Sequence, residues 1–310
     1  MHALSQNLQV ALIGKEEVME QTVVAFFSGN HLLVEDVPGV GKTVLARALA
    51  RSIGGVFRRV QFTPDLLPAD VTGTYIFNQR SGDFTFAPGP VFANVLLADE
   101  INRATPRTQA SLLEAMGEGQ VTVEGTTHPL PDPFFVIATQ NPLEFHGTFP
   151  LPEGQLDRFG ISLSLGYLSA TEEARLLGTH HRIPSPEALP AVLAGESCRR
   201  LRAAVADVFV APELDHYLVD LVRRSRAHPE VRLGASPRAA LSWRRAAQAL
   251  ALYRSRRYVL PDDIQELAIP ALAHRLSLNG VREAERSAAT TILRSILSAA
   301  LVPEAALLAS

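Results

Sequence analysis

The strongest constraint on this chain is a glycine-rich turn between a short apolar run and a helical segment. Residues 31–35 predict a strand, residues 38–41 a turn and residues 44–52 a helix. Gly39 and Gly41 lack a Cβ, so the backbone between them can point several N–H groups into one concavity. Such a concavity at the start of a helix binds phosphate oxygens. The sequence therefore predicts a phosphate-binding loop.

The side chains around this turn fit the same interpretation. Lys42 would place a positive charge on the terminal phosphates, and Thr43 would offer its hydroxyl to Mg²⁺. Of the 29 lysines and arginines only Lys15 and Lys42 are lysine, and a compact ammonium suits a phosphate. Asp36 stands where the strict motif has its first glycine, and the alternative is an ordinary turn with a solvated lysine. The predicted nucleotide-binding residues here are Pro38, Gly39, Val40, Gly41, Lys42, Thr43 and Val44.

Composition limits the class of protein. The 310 residues are 47% hydrophobic and 20% charged, which suffices for two globular domains. The net charge of −3 gives no reason to expect a polyanionic partner. Cys198 is the single cysteine, so we expect no disulfide framework and a cytoplasmic location. Residues 1–9 lack a signal-peptide pattern and no apolar run reaches spanning length, so we expect no membrane insertion.

A second apolar run ends in two acidic residues. Residues 94–99 predict a buried strand that ends at Asp99 and is followed by Glu100. The carboxyl ends of parallel strands form the crevice in which α/β proteins bind ligands. Asp99 is suited to hold Mg²⁺, and Glu100 to orient or deprotonate an attacking water. The alternative is a surface pair of acids at the start of the next helix.

Five further positions are candidates, and four of them have an ordinary structural alternative. Asn141 follows another apolar strand and can reach the same water, or it is a turn residue before proline. Arg158 ends a short helix and could instead form a surface ion pair of little value. Arg238 follows a Ser-Pro pair at a helix start, where a fixed arginine could reach back to a nucleotide. Ile13 and Gly14 could touch the nucleotide base or start a helix.

The pattern of elements changes along the chain. Strands and helices alternate up to about residue 168, with predicted hairpins at 74–87 and 119–128, whereas only helices are predicted afterwards. The helical half is rich in arginine. A nucleic-acid face is one interpretation; solvated helix faces or a subunit interface are favoured because acids offset the charge and aromatic residues are few.

Six blocks of this sequence, in order, resemble the MoxR branch of the AAA+ ATPases. The resemblance runs from about residue 10 to residue 276. It implies an α/β fold of the P-loop NTPase (AAA+) class. The parallel-sheet αβα core would span residues 1–168, and an all-helical lid domain would span residues 169–310. The two hairpins would be the helix-2 insert and the pre-sensor 1 hairpin. The blocks are residues 37–43, 61–68, 99–104, 138–142, 151–159 and 234–238.

The resemblance also implies a role for each candidate side chain. Arg158 resembles the arginine finger that enters a neighbouring subunit's nucleotide, and Arg238 resembles sensor 2. Asn141 corresponds to sensor 1. The Walker A residues are Lys42 and Thr43, and the Walker B residues are Asp99 and Glu100.

By resemblance, the protein is expected to be an ATP-hydrolysing, chaperone-like remodeller of protein complexes or of metal-cofactor assembly, with ATP and Mg²⁺ as cofactors. Members of the family assemble as nucleotide-dependent rings, usually hexamers, and often act with a von Willebrand factor A domain partner. The resemblance therefore implies a homo-hexamer with such a partner and a protein client. A nucleic-acid-associated motor is one alternative, but the hairpins do not form a basic ring, so nucleic acid is not expected as a partner. A nucleotide-switched scaffold is the other; Glu100, Asn141 and Arg158 argue against it.

Overall fold

The structure, a computed structural model, describes residues 1–80, 82–141, 147–179, 183–280 and 285–303. Pro142 of the fourth resemblance block and residues 304–310 of the predicted lid lie outside the described residues. The chain divides into two compact units. The first unit comprises Met1–Glu20, His31–Leu151 and Leu163–Arg199; the second comprises Gln21–Asn30, Pro152–Ser162 and Arg200–Ser310. The predicted boundary at residue 168 stays a prediction.

The secondary structure alternates in the first half and is mainly helical in the second. The strands are β1 (His31–Glu35), β2 (Phe57–Gln61), β3 (Gly73–Asn78), β4 (Asp83–Pro88), β5 (Val95–Asp99), β6 (Gln120–Val123), β7 (Thr126–Pro129), β8 (Phe135–Gln140), β9 (Phe159–Leu163), β10 (Val231–Leu233) and β11 (Ser277–Leu278). The helices are α1 (His2–Ala11), α2 (Glu16–Phe27), α3 (Lys42–Ser52), α4 (Pro68–Thr72), α5 (Pro106–Glu118), α6 (Glu153–Leu156), α7 (Ala170–Thr179), α8 (Gly195–Ala206), α9 (Pro212–Ala227), α10 (Pro237–Tyr253), α11 (Pro261–Leu272) and α12 (Glu285–Ala299).

The core of the first unit is a parallel sheet. Strands β2, β5, β8 and β1 lie side by side in that order, and every neighbouring pair among them is parallel. The run from Val95 to Ala98 is fully buried, as expected for a parallel strand that is covered on both faces. Ile137 of β8 pairs with Leu97 on one side and with Leu32 on the other. The carboxyl ends of β1, β5 and β8 therefore lie at one edge of the sheet.

Both predicted hairpins are present in the first unit. Strand β3 pairs antiparallel with β4, and β6 pairs antiparallel with β7. A small aromatic cluster joins them: the rings of Phe86 and His128 stack with centroids 3.9 Å apart and planes 8° from parallel. The Tyr75 hydroxyl lies 3.3 Å from Nε2 of His128. The two hairpins thus pack against each other through side chains of β3, β4 and β7.

The second unit is mainly a bundle of helices. Trp243 of α10 is fully buried, and its indole N–H donates to the carbonyl of Ile264 on α11 at 3.0 Å. The prediction that no strand follows residue 168 is wrong, since β10 and β11 form an antiparallel ribbon. These strands have three and two residues, too few to show a sequence alternation. Among the described helices, none is long and apolar enough to cross a membrane.

A buried ion pair anchors the start of α11. The carboxylate of Asp263 is fully buried and accepts hydrogen bonds from both terminal nitrogens of Arg256 at 2.7 and 2.6 Å. The backbone N–H of Leu260 also donates to it, at 2.8 Å. An acid is favoured at a helix N-terminus. We therefore assign this ion pair a structural role, the stabilisation of the second unit.

Candidate active site

The turn between β1 and α3 has the backbone geometry that a phosphate requires. Gly39 and Gly41 have φ values of 86° and 104°, in the left-handed region that glycine adopts without strain. Helix α3 begins at Lys42, and no side chain caps its N-terminus. The first N–H groups of a helix have no partner within the helix. They are available here to an anionic ligand.

Asp36, the departure from the strict motif, anchors this loop. It is 5% exposed, and its carboxylate accepts hydrogen bonds from the backbone N–H groups of Val37 at 3.0 Å and Gly166 at 2.8 Å. The hydroxyl of Ser164 donates to it at 3.2 Å. Its carbonyl accepts from Nζ of Lys42 at 3.1 Å. This role was not predictable from the sequence, because two of the three partners of the carboxylate, Ser164 and Gly166, lie about 130 residues further along the chain.

Replacement of Asp36 by alanine is expected to destabilise the first unit and weaken nucleotide binding. The change removes three hydrogen bonds to one carboxylate and leaves the Gly166 N–H without its partner, a loss of about 2–3 kcal/mol. Urea denaturation and ATP titration would measure the two effects. Asp36→Asn is the matched control because it keeps an acceptor oxygen, and it should lose less. An alanine variant with unchanged stability would contradict the anchoring role.

The acidic end of β5 is held in a fixed geometry. Asp99 accepts a hydrogen bond through Oδ1 from the Thr139 hydroxyl at 2.7 Å, and the backbone N–H of Glu100 donates to that hydroxyl at 2.8 Å. Glu100 has φ 55° and ψ 51°, a left-handed conformation that a residue with a side chain seldom adopts. Strained backbone of this kind clusters at functional sites. Because the Thr139 hydroxyl bonds both to the Asp99 carboxylate and to the Glu100 N–H, Thr139 orients both acids.

Two side chains of β2 contact these acids and were missed from the sequence. Nη2 of Arg59 lies 2.6 Å from Oδ2 of Asp99, and the Gln61 amide donates to Oε2 of Glu100 at 2.6 Å. Nε of Arg103 lies 3.3 Å from the same Glu100 oxygen. Gln61 is paired with Asp99 in the parallel register of β2 and β5. The sequence does offer one signal, since Arg59 and Gln61 are two residues apart and therefore lie on the same side of β2. That this side contacts the acids follows only from the position of β2 beside β5.

The phosphate loop and the acids share one cavity of about 350 Å³ in the first unit. Asn141, which follows β8, also lines this cavity. Val40 belongs to the same turn without lining the cavity. Ile13 and Gly14 lie in the bend between α1 and α2, directly after Leu12, whose Cδ2 would be 3.4 Å from a Cβ at Gly41. The lining residues are Pro38, Gly39, Gly41, Lys42, Thr43, Val44, Arg59, Gln61, Asp99, Glu100 and Asn141.

The residues of this cavity fit a nucleotide with Mg²⁺. The positive-φ glycines, the uncapped helix start and Lys42 offer the donors that phosphates need. Thr43 and Asp99 offer the oxygen atoms that Mg²⁺ prefers. Within the described ranges no group of three or more His, Cys, Asp or Glu side chains could hold a metal. Sites for Mg²⁺ beside phosphates typically use only one or two carboxylates, so the donor set suffices.

The two candidate arginines belong to the second unit. Arg158 follows α6 and is half-buried. Arg238 is exposed and is the second residue of α10. Ser236 caps this helix, since its hydroxyl accepts from the backbone N–H of Ala239 at 3.0 Å. The roles of both arginines stay predictions.

Comparison with known proteins agrees with this geometry. The family model "ATPase family associated with various cellular activities (AAA)" matches residues 31–161, and the AAA lid domain matches residues 223–296. The chain is 48% identical to uncharacterized protein YeaC of Bacillus subtilis, over 96% of this chain and 93% of that one. It is 40% identical to chaperone MoxR1 of Mycobacterium tuberculosis, over 94% and 80%. A crystal structure of a candidate ATPase from Cytophaga hutchinsonii superimposes with a TM-score of 0.89 at 36% identity, over 98% and 94%.

The parallel sheet, the phosphate loop and the lid match together define the class: this is a P-loop protein with the AAA+ ATPase fold. Relatives named MoxR narrow it further, with 40% identity over nearly the whole chain in one case and 31% identity over 93% of it in a protein from Paracoccus denitrificans. The chain belongs to the MoxR family of AAA+ ATPases.

Proposed function

We propose that the protein binds ATP with Mg²⁺ in the cavity of the first unit, hydrolyses it, and uses the cycle to remodel protein complexes. The observation that carries this proposal is the juxtaposition of the phosphate loop and Glu100 around one cavity. The loop supplies donors for the phosphates, and the carboxylate supplies a base near them. ATP hydrolysis needs both at the same place.

Each residue of the cavity has a task in this proposal. Lys42 and the N–H groups of the loop bind the phosphates, and Thr43 and Asp99 would hold Mg²⁺. The metal, when bound, neutralises charge that develops on the phosphate oxygens. Glu100 accepts a proton from the attacking water, and Asn141 orients that water. Because the protein does little covalent work, the rate depends on positioning and charge.

The proposal includes a ring of identical subunits, a homo-hexamer. Arg158 would enter the nucleotide site of a neighbouring subunit, and Arg238 would contact the nucleotide of its own. The resemblance to AAA+ proteins supports both assignments. An arginine supplied by a neighbour makes hydrolysis dependent on assembly, which links the chemistry to the motion of subunits.

The target of this activity is proposed to be a protein. One relative is named a chaperone, and the family resemblance supports a von Willebrand factor A domain partner and a protein client, with metal-cofactor assembly as one process. The single cysteine supports a role in a reducing compartment such as the cytoplasm.

Three measurements test the proposal. Phosphate release from ATP should depend on Mg²⁺ and disappear in Lys42→Ala. Glu100→Gln, held with ATP bound, should capture a protein partner that wild type with ADP releases. A gel shift with DNA or RNA at two salt concentrations serves as the counter-test, since phosphate contacts are salt-sensitive. Absence of phosphate release, or capture of nucleic acid in place of protein, would contradict the proposal.

A further inference from the structure

One side chain links the segment of Arg158 to the helix of Arg238. Asp157 precedes Arg158, and its Oδ2 accepts a hydrogen bond from the Ser236 hydroxyl at 2.8 Å. Ser236 is the N-cap of α10, and Arg238 is the second residue of that helix. The same hydroxyl therefore caps the helix and contacts Asp157. All of these residues lie in the second unit.

Arg275 fixes Asp157 from the other side. Its side chain is only 2% exposed, and its Nε lies 3.1 Å from Oδ1 of Asp157. Nη2 donates to the carbonyl of Asp157 at 3.1 Å, and Nη1 donates to the carbonyl of Ala271 at 2.8 Å. Burial lowers the pKa of Arg275 to about 10; Asp157 opposes this shift and the charge of Arg238 adds to it. The guanidinium stays charged at neutral pH, so it needs the Asp157 carboxylate.

The opposite end of α6 is tied to the same unit. Glu153 accepts hydrogen bonds from Arg232 of β10 and from the Ser277 hydroxyl of β11. Arg232 also donates to Ser277 at 2.6 Å. The short helix that leads to Arg158 is thus held at both ends, by the β10–β11 ribbon and by Arg275.

We propose that Arg275 and Asp157 are positioning residues that hold Arg158 and Arg238 in one fixed mutual arrangement. The inference rests on the proposed roles of the two arginines at nucleotides. It adds that the arginine offered to a neighbour and the arginine offered to the subunit's own nucleotide move together. A change at the subunit's own nucleotide, felt through Arg238, is then transmitted to the neighbouring site through Arg158. Buried, packed networks of this kind shift between discrete arrangements instead of deforming gradually.

The test mixes two variant subunits and adds each further substitution to the one that donates Arg158. Subunits with Arg158→Ala keep Glu100, and subunits with Glu100→Gln supply Arg158 to them. Adding Arg275→Met to the Glu100→Gln subunit should reduce the ATPase activity restored by mixing about tenfold or more, since a displacement near 1 Å can cost up to about 100-fold. It should also weaken ATP binding by the Glu100→Gln subunit several-fold, the effect that we expect of Arg238→Ala in the same subunit. Arg275→Lys, which keeps the charge, should recover part of both losses.

Arg256→Met is the matched control, because Arg256 also pairs with a buried aspartate of the second unit but contacts neither Asp157 nor Ser236. When Arg256→Met is added to the Glu100→Gln subunit, the ATPase activity restored by mixing should equal the activity restored by the Glu100→Gln subunit without it. If Arg275→Met prevents folding or assembly, judged by circular dichroism and gel filtration, Ser236→Ala replaces it, and the same two losses are expected at smaller size.

The outcomes separate this inference from the proposed function. If Arg158→Ala and Glu100→Gln subunits fail to restore each other, the shared site is wrong, and the inference falls with it. If they do restore each other but Arg275→Met and Ser236→Ala change neither quantity, only the inference is overturned. A change in ATP binding or in restoration alone would also overturn it, because a fixed arrangement requires both to change.

Discussion

Replacement of Arg158 by alanine is expected to lower ATP turnover about 10³–10⁵-fold, the range that an arginine finger contributes. Its guanidinium would meet charge that develops on the transferred phosphoryl group of a neighbouring subunit. The subunit's own phosphate loop is unchanged by the substitution, so ATP affinity should stay within a few-fold of wild type. Single-turnover phosphate release and a separate binding titration measure the two quantities.

Arg245→Ala is the control for this substitution, because Arg245 is an exposed arginine of α10 in the same unit. It should leave turnover unchanged. Wild-type turnover in Arg158→Ala would show that Arg158 takes no part in hydrolysis. Equal losses in both variants would indicate a general effect on the second unit.

Replacement of Glu100 by glutamine is expected to lower turnover about 10²–10⁴-fold, the usual contribution of a general base. Glutamine keeps the shape of the side chain and one acceptor oxygen for the Gln61 amide, which now donates to Oε2 of Glu100 at 2.6 Å. It cannot take a proton from water. ATP should therefore bind and remain uncleaved, which makes this variant suitable for capturing a client.

Glu114→Gln, an exposed position on α5, serves as the control for the loss of one negative charge. Its turnover should match wild type. If Glu100→Gln cleaves ATP at the wild-type rate, the base must be another residue, and the proposed chemistry of the cavity would need revision. Loss of ATP binding in Glu100→Gln would instead show that the carboxylate supports the fold of the site.

The parts of the fold that were predictable depend on local pattern. The phosphate loop follows from two glycines at fixed spacing, and the buried strand before Asp99 follows from an uninterrupted apolar run. Both hairpins were predicted correctly because their strands are adjacent in sequence. The ribbon of β10 and β11 was missed, since its strands have three and two residues and lie far apart along the chain.

The contacts that shape the site were less accessible. The sequence identifies Asp99 and Glu100 as acids at a strand end, but their contacts with Arg59 and Gln61 depend on which strand lies beside β5. In the sequence Asp36 is only a departure from the strict motif. Its role follows from the structure, in which the backbone N–H of Gly166, 130 residues later, donates a hydrogen bond to its carboxylate. Hydrogen bonds of this kind join segments that no local pattern relates, so a single sequence does not reveal them.

The central claim, an ATPase site completed by a neighbouring subunit, is tested most directly by the rate per subunit as protein concentration rises. Wild type, Arg158→Ala, Glu100→Gln and an equal mixture of the two variants would be compared. We predict a wild-type rate that climbs with concentration, two inactive variants and partial recovery in the mixture. A rate per subunit independent of concentration, together with no recovery on mixing, would contradict the account and indicate a site complete within one chain.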